Sequence, residues 1–234
     1  MLVAAAVCPC PPLLVPEVAS GASAELDTLR AACADALAVV AAARPDLLVV
    51  VGAVATGESS HVWEGGGTGS LRPYGVNRAV RLGDGSDPEP LAPALVVAAA
   101  LLDDTRLAAP LHGCAVPEDA PAGRMLELGR GLAELADRVA LLVMGDGSNC
   151  RTLKAPGYLD DRAEAFDASV ARALGAADTA ALAELDAGLA GELQAAGRAP
   201  WQVLAGAGEQ AGLGGALLYD EAPYGVGYFV SVWS

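Results

Sequence analysis

Two uninterrupted apolar runs constrain this chain more than any other feature: DLLVVVG at 46–52 and RVALLVMG at 138–145. A strand with one wet face alternates apolar and polar residues. A continuous run has no wet face, so each of these strands must be covered on both sides. A third run, LVAAAV at 2–7, stops at the Cys8-Pro9-Cys10-Pro11-Pro12 punctuation and reads as a buried first strand. Between them the period changes. Leu26, Leu29, Cys33, Leu37 and Val40 recur at spacings of three and four, which predicts an amphipathic helix over 23–43, stopped by Pro45. Further helices are expected over 90–102, 121–136, 160–174, 179–195 and 200–207. Further strands are expected over 76–82 (an edge strand), 106–111, 215–219 and 226–233. A long Gly-rich loop is expected over 53–70, with Gly65 to Gly69 at its tip. Strands alternating with helices predict an α/β fold: a single-domain sandwich over 1–234, its central sheet mostly parallel or mixed and flanked by helices.

Composition narrows the function classes. Hydrophobic residues make up 53% of the 234 and charged residues 18%, enough apolar side chain for a real core. The formal charge of −15 repels phosphate backbones, and the Arg residues are scattered singly with Lys154 as the sole lysine, so nucleic acid is excluded as a partner. The longest apolar stretch, 91–102, is interrupted by Pro93 and falls short of the ~20 residues a membrane span needs. Five Cys without regular spacing do not make a disulfide framework, which suits a cytoplasmic protein with reduced thiols.

In open α/β sheets, ligands bind beyond the carboxyl ends of the strands. The chemically scarce residues fall there on this reading. Cys8 and Cys10 follow the first strand, and His61 follows the second. His112 and Cys114 follow the 106–111 strand. Asp146, Ser148, Asn149, Cys150 and Lys154 follow the 138–145 strand. Glu221 lies in a tail that joins carboxylates to tyrosines and could close over a pocket. Cys33, on an apolar helix face, reads as a small buried hydrophobe.

The segment Cys10-Pro-Pro-Leu-Leu-Val-Pro-Glu17 resembles the N-terminal His-Pro-Pro-(aliphatic)₃-Pro-Glu segment of the LigB-like family of class III extradiol ring-cleavage dioxygenases, whose fold the Memo-type proteins share. The order of elements agrees over nearly the whole chain. The resemblance implies an α/β fold and, in active members, a ferrous iron held by two His and one Glu, with a further His as acid–base. Carried over by position, Cys10 stands at the first ligand, Ala53 or Val54 near the second, and Asn149 or Cys150 at the acid–base His. The segment from Ala199 to Gln202 stands where the Glu is expected. The expectation is therefore a diverged member with an incomplete iron site. If metal chemistry persists, Cys10, His61 and His112 are the candidate donors for one Fe, Zn or Cu, a thiolate favouring the softer ions. Asn149 and His112 are the catalytic candidates, with Cys8, Asp146, Ser148, Cys150, Lys154 and Glu221 lining the pocket. The alternatives are a metal-free pseudoenzyme that binds a small molecule or acts as a scaffold, and thiol chemistry at Cys8 or Cys10. Family analogy adds a homodimer as one option.

Overall fold

The computed structural model describes residues 1–103, 105 and 107–234. In chain order the elements are β1 (Leu2–Cys8), α1 (Pro16–Ala19), α2 (Asp27–Ala42), β2 (Leu47–Val54), β3 (His61–Trp63), β4 (Gly66–Ser70), β5 (Ala79–Gly83), α3 (Pro93–Leu102), β6 (Leu111–Pro117), α4 (Ala122–Ala133), β7 (Val139–Met144), α5 (Ala163–Ala176), α6 (Thr179–Ala183), α7 (Ala187–Glu192), α8 (Arg198–Gly208), β8 (Gly215–Glu221) and β9 (Tyr228–Trp233). Seven strands form one mixed sheet in the order β3-β6-β2-β7-β1-β9-β8, and β4 pairs with β5 in a separate ribbon. The four strands β6, β2, β7 and β1 run parallel, so their carboxyl ends share one rim. Antiparallel β9 begins at that rim.

The continuous apolar runs do what their composition requires. In β7, Val139, Leu141 and Val143 enter one core while Ala140, Leu142 and Met144 enter the other. The first core is closed by α4, α5 and α8, the second by α2 and α3. α4 and α8 cross at glycines. A Cβ on Gly129 would sit 2.0 Å from the Val203 carbonyl oxygen, and one on Gly206 would sit 2.1 Å from that of Leu126, so backbone lies directly on backbone. No described helix is long and apolar enough to cross a membrane.

Four local expectations are corrected. The strand expected over 106–111 instead runs over Leu111–Pro117; Arg106 lies outside the described residues. Pro110 has no N–H to donate, its carbonyl accepts from the Leu48 N–H, and residue pairing along β2 runs from Leu48↔Leu111 to Val54↔Pro117. Secondly, the Gly-rich loop contains β3 and β4. The β4 glycines admit close neighbours: a Cβ on Gly67 would lie 2.8 Å from the Trp63 ring, and one on Gly69 2.5 Å from Val96. Packing rather than β-propensity makes this segment extended. The edge strand expected over 76–82 is thirdly β5, paired with β4 rather than with the main sheet. Lastly, the single helix expected over 179–195 is two. Asp178 and Asp186 each accept a main-chain N–H from three residues on, starting α6 and α7 separately.

Candidate functional site at the strand carboxyl ends

Adjacent parallel strands create the central contact. Cys8 pairs with Met144, so two residues further on the chains leaving β1 and β7 still run side by side. There the Cys10 main-chain N–H donates to Asp146 Oδ1 at 2.8 Å, and the Cys10 thiol lies against the same carboxyl. Burial pushes the Asp146 carboxyl up to about 6, with the two donors from Cys10 holding it from rising further. Burial also pushes the Cys10 thiol well above its ordinary value. The Asp146 carboxyl, and then Glu118 from the loop after β6, add to that rise. Tyr228, at the start of β9, is raised by burial and then by Asp146 and Cys10, and Tyr74 by burial and then by Cys10. This part of the rim thus gathers a thiol held protonated, phenols and a carboxyl that exchanges its proton near 6. Such a set can donate hydrogen bonds and move a proton, and the raised Cys10 thiol disfavours a thiolate nucleophile.

A buried carboxylate anchors this rim from below. Asp167 of α5 accepts from the Ser148 N–H and hydroxyl, both at 2.8 Å, and from Arg151 Nη1 at 3.1 Å. The turn after β7 is in turn stitched to the chain entering β9, Gly147 N–H donating to Gly227 and Gly227 N–H to Ser148. Both glycines are required there, because a Cβ on Gly227 would meet Asp167 at 2.5 Å and one on Gly147 would meet Phe229 at 2.7 Å. On the other side, fully buried Arg198 donates to the carbonyls of Ala120 and Glu118 and to Gln202 Oε1, which fixes the loop carrying Glu118.

Of the expected site residues, the structure brings Cys10 and Asp146 together and sets Ser148 beneath them. The others lie elsewhere. Cys8 is buried in the core against Cys33, which together with burial pushes its thiol well up. Cys150 is buried under its own loop, facing the carbonyls of Gly157 and Leu193. Asn149 is held through its main chain to Leu193 and Gly157. Lys154 is exposed, and Glu221 ends the edge strand β8, exposed and accepting from Tyr219. His112 is the second residue of β6 rather than a residue beyond a strand end, opposite Val49. It therefore sits roughly 16 Å below the carboxyl rim and about three strand spacings, ~14 Å, from β1. His61 stands on edge strand β3, about four spacings from β1 at ~19 Å, bound to Asp87 at 3.2 Å and edge-on to Trp63. Cys114, inside β6, is likewise buried, which drives its thiol up to about 12.

Cys10, His61 and His112 thus cannot share one metal ion, since donors to one centre must each approach it within about 2.0–2.3 Å. Among the described residues no three His, Cys, Asp or Glu side chains gather as such a set. The residues that the resemblance sets at iron-ligand positions do not fit iron either. Val54 is apolar and buried, and Gln202 is locked in the core, accepting from Arg198 and donating to the carbonyls of Ala183 and Leu185.

Asp167, Arg198, Glu118 and Tyr74 carry no sequence motif, whereas Tyr228 ends the tail of carboxylates and tyrosines and does reach Asp146 and Cys10. Asp167 had a signal: it is a carboxylate on the apolar stripe of Ala163, Phe166, Val170 and Leu174. Arg198, opening a helix whose other residues are apolar apart from Gln202, carried the same one.

No family model matches the sequence, and no curated protein does. Among solved structures, the chain is similar to an uncharacterized protein, JW3007, from Escherichia coli K12. The TM-score is 0.55 and the identity 17%, over 99% of each chain. That likeness extends to the fold.

The Asp146 geometry makes a testable statement about pH. The folded carboxyl titrates near 6 rather than at its ordinary 3.8, so the folded state keeps a proton that the unfolded chain releases. The stability this group contributes is present below 3.8 and lost as pH rises through about 6. In Asp146→Asn, the fall in melting temperature across that window is expected to flatten. Parallel curves for the two proteins would contradict this.

Proposed function

We propose that this protein is a diverged LigB-like member of the class III extradiol dioxygenases whose cleft binds a small molecule without iron. The observation that carries the reading is the Cys10–Asp146 contact. At the position of the family's first iron ligand stands a thiol, kept protonated by burial and by neighbouring carboxyls, its main chain tied to Asp146. The placement of His61 and His112 far from that point, and of apolar or engaged side chains at the other ligand positions, supports the same conclusion. Ring cleavage needs a metal on which substrate and O₂ meet, and this donor set does not build one. The reading also sets aside thiolate chemistry, because neither Cys8 nor Cys10 is poised to ionise. Five unpaired thiols suit a cytoplasmic setting.

The test is metal analysis after anaerobic loading with Fe²⁺, followed by oxygen-electrode assays with a catechol panel and titration of catechol into the metal-free protein. Substoichiometric iron, no oxygen uptake, and catechol-induced shifts at Asp146 and Tyr228 are expected. One tightly held iron per chain with a ring-opened product would overturn the proposal, and so would a cleft that ignores every catechol.

A further inference from the structure

The second half of the opening motif, Leu14 to Glu17, has no part in the Cys10–Asp146 contact. It forms one wall of a groove of about 850 Å³ between α2 and α3, a size within the usual range for small-molecule sites. The α2 side is lined by Ala34, Leu37, Ala38 and Ala41, and the α3 side by Ala100 and Leu101. Alanine at three of those α2 positions leaves open a trench that larger side chains would fill.

Two guanidinium groups, Arg30 and Arg78, stand in this apolar wall. Their ion pairs are lopsided. Arg30 is 16% exposed while its partner Asp27 is 73% exposed. Arg78 is 32% exposed against 50% for Glu17 and 44% for Asp103. Asp27 and Asp103 stand outside the lining and face water, where such pairs contribute little, while Glu17 lines the trench together with the two cations. Arg30 also has capacity left over. Its Nη2 serves Ser23 and Asp27, while its Nη1 is buried and meets no acceptor among the described residues. A buried guanidinium arm without an acceptor is costly, and a carboxylate satisfies both arms in a fork. On a protein of charge −15, a trench lined by two guanidinium groups against one carboxylate repels an anion less than the acidic surface at large.

We infer that this groove binds an apolar monocarboxylate, its chain along Ala34, Leu37, Ala38 and Leu101 and its carboxylate on Arg30. The carboxylate replaces the exposed Asp27 as the partner of that guanidinium and engages both of its arms, with Arg78 adding to the field. The site is separate from the Cys10–Asp146 contact and does not depend on the function proposed there.

Octanoate, octan-1-ol and octylammonium are the probes, measured by calorimetry on the full chain, with backbone amide shifts locating the site. Octanoate is expected to bind in a one-to-one ratio, about tenfold or more tighter than octanol, as charge-assisted pairing with arginine requires. Octylammonium is expected to bind weakest. Shifts are expected at Ala34, Ala38 and Leu101. Arg30→Gln is expected to remove the preference for octanoate over octanol, and Ala38→Trp to abolish binding of both without lowering the melting temperature. Equal affinity for octanoate and octanol, shifts confined to another surface, or no binding by the wild-type protein would each overturn the assignment. The shift map on unaltered protein decides the matter if Arg30→Gln does not fold.

Discussion

Asp167→Ala is expected to cost about 3 kcal/mol of folding free energy, the low end of the range for breaking a buried charge pair. The low end applies because Arg151 keeps some contact with solvent, its side chain 23% exposed, whereas Asp167 itself is 1% exposed. The remaining loss comes from Ser148, which is fully buried and would leave both an N–H and a hydroxyl without their acceptor. An unsatisfied buried donor costs roughly 1–3 kcal/mol. Against a typical stability of about 5–15 kcal/mol, this one change takes a large share. Urea denaturation of the variant measures it directly, and Asp167→Asn, which keeps one carbonyl acceptor, is expected to fall between the two. A loss below about 1 kcal/mol, the size of an ordinary single hydrogen bond, would mean that the turn after β7 does not depend on this anchor.

The second large effect separates two glycines on one helix. Gly129 and Gly131 both lie in α4, and either gains up to about 1 kcal/mol of helix propensity on becoming alanine. At Gly131 no atom lies within 4 Å of the added Cβ, so Gly131→Ala is expected to stabilise by that amount. At Gly129 the Cβ would lie 2.0 Å from the Val203 carbonyl oxygen and 2.8 Å from the Ala207 nitrogen. Those atoms belong to the α8 backbone and have no rotamer to change, so the helices must separate. Overpacking of this kind costs about 3 kcal/mol or more, which outweighs the propensity gain. Gly129→Ala is therefore expected to destabilise by about 2 kcal/mol or more, opposite in sign to its neighbour two residues on. Thermal or urea unfolding of the pair is sufficient. Two changes of the same sign would show that α4 and α8 do not meet at the glycines.

The sheet was legible where one physical signal decided it. DLLVVVG and RVALLVMG can only be strands buried on both faces, and they became β2 and β7 at the centre. β6 was not legible in the same way. Its sequence, LHGCAVP, mixes a polar residue, a glycine and a proline, and what extends it is its partner β2 rather than its own composition. That displacement carried His112 from the expected rim to the far end of the strand. The site was half legible for a related reason. Cys10 and Asp146 follow strands whose positions were readable, which sets both at one rim, but their meeting depends on β1 lying beside β7, an order that the sequence does not carry. Asp167 and Arg198 reach their places through helix packing across long stretches of chain, and a single buried charge in an apolar stripe announces itself without naming its partner.

The place of β9 has a consequence for how the chain folds. β1 obtains its second neighbour only when Ala5 meets Trp233, a pairing that spans almost the entire described chain. Closing so long a loop is entropically expensive before any contact rewards it, and folds dominated by such contacts assemble slowly. Until that step, one edge of the central strands stands open to any other extended segment, so the interval before β9 docks is when this protein is most exposed to aggregation.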